Sequence, residues 1–228
     1  MKANWQELQT QFWKDGYCIL DNLIPKDLVE YWAAIALDLS TKLTRQGVKK
    51  IEKQFDAADL ETRDAAGIYS LVSIPGYVAF CDFENLKIYY QNLANFLSLF
   101  TGLDIVLSED IESAVTVMVY PPPAGQMTAH YDTNPITVLL YLTDNQDGGT
   151  ELYPLTARRP TTLTTIDEFI ADPIVILPKV GRIVLFQGQK IWHKALPVTK
   201  TTKISSAWNY YIKGENWRPK GVSERLYK

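Results

Sequence analysis

The sequence predicts an α+β chain with a mainly β core, in which helices of the first half pack on one face of a two-sheet jelly roll or sandwich. Three observations predict it. Residues 1–112 show helical spacing of apolar side chains, residues 113–212 break into short β-rich runs between Gly, Pro, Asn and Asp, and no biased linker separates the halves. About eight short strands in so compact a stretch leave no room for the crossover helices of a parallel sheet.

Each element follows in order. Trp5, Leu8, Phe12 and Trp13 recur at helical spacing until Asp15-Gly16 breaks the pattern, and YCILDNL then reads as a short strand. Pro25 suits a first helical turn, and Leu28, Trp32, Ile35, Ala36 and Leu39 make an apolar stripe down to about Leu43. The stretch 44–66 is charged and weakly patterned, with Lys49, Lys50, Glu52 and Lys53, and reads as a solvated helix or mobile loop without a functional role. Residues 84–101 return to a helix with Leu86, Tyr89, Leu93, Phe96 and Leu97 on one face. Beyond them SAVTVMVY, TAHYD, ITVLLYL, TELYP, PIVILP, RIVLFQG, IWHKALPV and KISSAWNYYI are the strand candidates. Gly148-Gly149 and Gly181 read as turns, Trp208 as core, and the tail from Gly214 as a surface extension.

Composition narrows the function. Twenty-three basic and 26 acidic residues give a net charge of −3, which provides no electrostatic footprint for nucleic acid or anionic lipid. No apolar run has the length of a membrane-spanning helix, and the opening residues lack a basic-then-apolar signal, so a cytoplasmic protein is expected. Cys18 and Cys81 sit in apolar surroundings and suit buried thiols better than a disulfide.

The chain has only two histidines, His130 and His193. His130 and Asp132 are two apart at the end of a strand candidate, which points an imidazole and a carboxylate to one face. His193 lies in another strand candidate, which a jelly roll can bring alongside. Two imidazoles and one carboxylate leave coordination positions open, as in non-haem ferrous oxygenases. Any one of these residues alone is weak evidence, since most histidines in strands bind nothing.

The segments HYD, TVLLYLTDNQDGGTELYP, LPKVGRIVLFQGQKIWHKALPV and KTTKISSAW together resemble the Fe(II)/2-oxoglutarate-dependent dioxygenases, in particular the prolyl-4-hydroxylase-like branch. The opening FWKDGYCILDNLIPKDLVEYW is similar to the N-terminal segment of phytanoyl-CoA hydroxylase relatives. The resemblance implies a double-stranded β-helix (jelly roll) in a single dioxygenase domain over 1–228, with a helical part to about 112 and the core over about 113–212. It implies that His130, Asp132 and His193 bind Fe(II) and that Lys203 pairs with the distal carboxylate of 2-oxoglutarate. A buried second carboxylate independently demands a cation, because an unpaired buried charge is costly. Ser205 shares the face of Lys203 and can add a hydrogen bond, Thr137 matches a threonine that donates to the same carboxylate, and Tyr120 matches a tyrosine before the first histidine with its register off by about one residue.

With Asp132 in place, halogenation is disfavoured. The implied reaction hydroxylates an unactivated C–H bond of a small molecule, such as a free amino acid or a specialised-metabolite intermediate, consuming O2 and releasing succinate and CO2. A peptidyl prolyl hydroxylase, a non-catalytic β-helix module and a zinc hydrolase are the alternatives; zinc hydrolysis gives no reason for a lysine ten residues past the last ligand. Residues 156–172 read as a lid in which Arg158 and Arg159 bind a substrate carboxylate, and the aromatics of 67–83 frame a pocket or pack the helices on the sheet. No nucleic-acid or membrane partner is expected, and the oligomeric state is left open.

Overall fold

A computed structural model describes residues 4–43, 45–56, 67–157 and 171–215. Helix α1 (Trp5–Asp15) ends where Gly16 takes the left-handed conformation, φ 82°, and its N–H donates to the Phe12 carbonyl. Strand β1 (Tyr17–Leu20) and helix α2 (Lys26–Lys42) follow, with Pro25 capping α2. Strands β2 (Lys49–Phe55) and β3 (Gly67–Pro75) pair antiparallel. The charged stretch read as helix or loop therefore holds a strand. Its charges sit on an outer strand that pairs on one side, where alternation is weakly enforced.

Helices α3 (Gly76–Asp82) and α4 (Leu86–Thr101), strand β4 (Ile105–Leu107) and the short α5 (Ile111–Ala114) lead into the β core. That core comprises β5 (Val115–Tyr120), β6 (Gly125–His130), β7 (Ile136–Tyr141), β8 (Thr150–Tyr153), β9 (Ile174–Ile176), β10 (Ile183–Phe186), β11 (Trp192–Val198) and β12 (Lys203–Ile212). Seven of the eight strand candidates contain one of these strands whole, and TAHYD covers only the last three residues of β6. The strands pair antiparallel in the order β1-β10-β7-β12-β5-β3 and β6-β11-β8-β9, and a single pairing of Ser70 with Gln126 joins the two sheets. This is the curled antiparallel arrangement of a double-stranded β-helix.

Both faces of the larger sheet are covered, so its strands read as nearly unbroken apolar runs. Val117, Val119, Leu140 and Trp208 face the helices and pack with Phe12, Trp32 and Leu97. Alternate residues, among them Met118, Tyr120 and Leu139, face the other way into a second cluster with Ile51, Tyr69 and Leu71. Polar tips lock the helices on. Tyr90 Oη donates to the Asn209 carbonyl at 2.8 Å, and Trp32 Nε1 donates to the Glu84 carbonyl at 2.9 Å.

Trp208 is core as expected, with its indole N–H donating to Ser206 Oγ at 2.8 Å. Cys18 is buried, and burial pushes its thiol up to about 12, whereas Cys81 is exposed, contrary to expectation. No helix among the described residues is long and apolar enough to cross a membrane. Arg158, Arg159 and most of the expected lid lie outside the described residues.

Candidate active site

The space between the two sheets is an open cavity lined by His130, Asp132, His193 and Lys203. Strand β6 ends on His130 and β11 begins beside it, so the register pairs His130 directly with His193. Their ring centroids are 4.3 Å apart. Asp132 lies just past the end of β6, where its backbone N–H donates to the Gly188 carbonyl at 3.0 Å. One ligand atom from each of His130, Asp132 and His193 falls within 4.8 Å of the others. Asp132 Oδ1 stands 3.4 Å from His130 Nε2 and 3.8 Å from His193 Nε2.

Both imidazoles are oriented from behind. His130 Nδ1 lies 2.9 Å from the Thr128 carbonyl and His193 Nδ1 lies 3.0 Å from that of Ile191. A carbonyl only accepts, so each Nδ1 carries the proton and each Nε2 presents a lone pair toward Asp132. The carboxylate is held as firmly. Thr137 Oγ1 donates to Asp132 Oδ2 at 2.5 Å, and Asn134 Nδ2 donates to Thr137 Oγ1 at 2.8 Å and to the Ile136 carbonyl at 2.7 Å. Gly188 closes this clamp, since an added Cβ would stand 2.6 Å from Thr137 Oγ1 and 2.9 Å from Asp132 Cβ. Burial alone would raise the Asp132 carboxyl, but His193 and His130 when protonated, together with the Thr137 hydrogen bond, hold it down at about 2. Two imidazole lone pairs and one carboxylate oxygen, with Oδ2 occupied elsewhere, fit a divalent transition metal that keeps open positions.

Lys203 starts β12, opposite Tyr120 on β5. It is 1% exposed. Its Nζ donates to the Gly148 carbonyl at 2.8 Å and lies 4.0 Å from the centre of the Tyr120 ring. Burial pulls the ammonium down to about 7, partly opposed by the charge of Asp147. Among the described residues no carboxylate reaches ion-pair distance of this Nζ. A buried cation held by a carbonyl and a ring fits the second carboxylate of a dicarboxylic acid.

The cavity face of the larger sheet falls into three tiers. Nearest the histidines, Thr137 on β7 pairs with Asn209 on β12; Leu139, Ala207 and Thr116 form the next tier across β7, β12 and β5; Ser205 beside Met118 and Lys203 opposite Tyr120 form the deepest. Apolar side chains, Leu139, Ala207 and Met118, thus lie between the metal cluster and the cation, in the order in which two methylenes and a carboxylate would meet them. Thr137 belongs to the first tier. It is paired with Asn209, six residues along β12 from Lys203, and its one hydroxyl proton goes to Asp132. The expectation that Thr137 donates to the distal carboxylate is corrected on that ground. Ser205 and Tyr120 share the deep tier with Lys203, and Tyr120 Oη lies 3.2 Å from Met118 Sδ.

Residues 115–211 match the family model described as the 2OG-Fe(II) oxygenase superfamily. The chain carries a 2OG-Fe(II) oxygenase domain. The oxygenase is an enzyme whose cofactors are those of this family: Fe(II), 2-oxoglutarate and O2. Comparison with curated proteins returned no match. Among solved structures, the epimerase SnoN in complex with Fe3+, alpha ketoglutarate and nogalamycin RO is 14% identical over 98% of this chain and 90% of its own, with a TM-score of 0.70. A Pseudomonas putida prolyl-4-hydroxylase is 17% identical over 91% and 99%, at 0.57. A Trichoplax adhaerens prolyl hydroxylase in complex with a hypoxia inducible factor peptide fragment is 16% identical over 93% and 95%, at 0.64. At these identities the likeness is one of fold.

Sequence reasoning missed Asn134 and Gly188 behind the oxygenase's Asp132, and the contribution of Ile51, Leu71 and Ser73 to the cavity wall; Tyr69, among the 67–83 aromatics offered as a pocket frame, does line it. Asn134 carried a signal, since an Asn two residues after HxD readily caps a turn. Ile51 carried almost none among its charged neighbours.

Proposed function

We propose that His130, Asp132 and His193 hold Fe(II), that Lys203 with Ser205 and Tyr120 holds the distal carboxylate of 2-oxoglutarate, and that the enzyme hydroxylates a C–H bond of a small molecule. Overall, R–H, O2 and 2-oxoglutarate give R–OH, succinate and CO2, so that one oxygen atom enters each organic product. Bound Fe(II) supplies the activation of dioxygen. The chain's own residues orient and exclude. The Thr128 and Ile191 carbonyls fix the imidazole tautomers, Thr137 and Asn134 limit Asp132 to one oxygen toward the metal, and Met118, Ala207 and Leu139 keep water from the methylenes.

The observation that carries this reading is the buried, carboxylate-free ammonium of Lys203 at the far end of the cavity that holds the two-imidazole, one-carboxylate cluster. A metal cluster alone suits hydrolysis equally well; the lysine has a purpose only with an anionic cosubstrate. Anaerobic addition of Fe(II) and then 2-oxoglutarate tests it. A weak visible charge-transfer band is expected with wild type and not with Lys203→Met at the same cosubstrate concentration. A band of equal strength in both proteins refutes the lysine assignment, and no band in either refutes the cosubstrate.

A further inference from the structure

Among the described residues, two hydroxyls of the cavity wall have no hydrogen-bond partner. Ser73 and Thr116 are 3% and 4% exposed, both line the cavity, and neither side chain makes a hydrogen bond among the described residues. Neither oxygen is sealed from solvent, so a ligand with matching polar groups can take the place of water at both.

The register shows what the pair belongs to. Ser73 on β3 is paired with Met118 and Thr116 lies two residues along β5 from that partner; Thr116 is paired with Ala207, and Asn209 lies two residues further along β12; Asn209 is paired with Thr137. All four line the cavity. They form one diagonal row of polar side chains across four neighbouring strands, ending at the residue that clamps Asp132. The Asn209 amide donates through Nδ2 to the Ser113 carbonyl at 2.6 Å, which leaves its Oδ1 as an acceptor. Ile51, Leu71 and Met127 supply apolar surface beside the row. Charge at the outer end is balanced, since Lys49 and Glu112 both border the small side cavity that Ser73 and Thr116 share.

From this row we infer that Ser73, Thr116 and Asn209 form the substrate-orienting subsite, and that it takes an uncharged, hydroxyl-bearing molecule with an apolar face. The inference rests on the oxygenase reading and narrows its substrate. Two hydroxyls and an amide oxygen can both donate to and accept from substrate hydroxyls, and the row leads such a molecule edge-on to the metal cluster. The row itself carries no charged group, so a free amino acid bound along it would have opposite charges only at the rim, at Lys194, Lys49 and Glu112, and burying its two charges away from them is disfavoured. Of the expected substrates, the uncharged metabolite is retained and the free amino acid is not.

The test uses the full chain loaded with Zn(II), a diamagnetic substitute for Fe(II), and 2-oxoglutarate. Saturation-transfer NMR compares trans-1,2-cyclohexanediol with L-proline, and calorimetry records 2-oxoglutarate binding to the wild-type protein. The diol is expected to receive saturation from wild type and L-proline not. In a Ser73→Ala/Thr116→Val double variant, which keeps side-chain volume, the diol signal should fall by about fivefold or more, the loss of one to two net hydrogen bonds. Thr116→Ser, which keeps the hydroxyl, should retain it. An equal diol signal in the double variant, no diol signal in wild type, or a stronger signal from L-proline each overturns the subsite. Failure of wild type to bind 2-oxoglutarate instead refutes the oxygenase reading.

Discussion

Two stretches of the same cavity treat their polar groups in opposite ways. Around the histidines every functional atom is tied from behind, with imidazoles on carbonyls, the Asp132 carboxylate on Thr137, and Thr137 on Asn134. On β3 and β5 the hydroxyls of Ser73 and Thr116 are left open. The difference separates preorganised chemistry, which must hold its geometry before any ligand arrives, from recognition, where the ligand supplies the missing partner. Substitutions at the tied end should therefore change metal or cosubstrate binding by large factors, and those at the open end should change only substrate preference.

The largest effect is expected for His193→Ala. Loss of one of three ligands should weaken divalent-metal affinity by more than about a hundredfold, beyond the 10- to 100-fold typical of supporting residues. Thermal melting should change little, because the ring lines a cavity. Metal titration by calorimetry checks the first point. Retained affinity would break the comparison at its root, since the cluster would then not be the metal site.

Next in size is Lys203→Met. Removing a buried cation should lower 2-oxoglutarate affinity by about 10- to 100-fold, a typical cost for losing one partner of a buried ion pair, and leave the cosubstrate-free protein as stable or more so. Comparing binding and melting in one preparation distinguishes this from general damage, which would lower both.

These two residues were legible in the sequence, and the open wall was not. His130, Asp132 and His193 stood out because the chain has only two histidines and each lies on a strand with recognisable neighbours. Lys203 stood out by its spacing and by the need of a buried carboxylate for a cation. The eight core strands could be read because both sheet faces are covered and long apolar runs follow. Strand β2 could not, since Ile51 is its one buried apolar residue with a described side chain, between charged neighbours, and only its pairing with Leu71 puts it in the wall. Thr137 was picked out because it matches a threonine of the resembled family, but whether it serves the cosubstrate or the carboxylate depends on the register between β7 and β12, which no local pattern encodes.

Thr137→Val sharpens that correction. The valine keeps the volume and removes the hydrogen bond to Asp132 Oδ2, freeing the carboxylate to turn. Metal affinity should fall by about tenfold, at the low end for a supporting residue, and Thr137→Ser should restore it. If Thr137→Val instead left metal binding intact and weakened only 2-oxoglutarate binding, the original assignment to the distal carboxylate would be reinstated.

The smallest effect is a proton. Burial holds Lys203 at about 7, below the usual lysine value near 10, so between these limits the folded, cosubstrate-free protein has lost a proton that the unfolded chain keeps. Its stability should accordingly rise with pH across that window on this group's account and level off above it. A carboxylate arriving beside Nζ draws the proton back, so 2-oxoglutarate binding above pH 7 should take up a fraction of a proton, rising toward one, and below pH 7 almost none. Calorimetry in two buffers of different ionisation enthalpy reads this directly. Lys203→Met should abolish the uptake, and uptake that survives in that variant would have to come from another group and would detach the lysine from the cosubstrate.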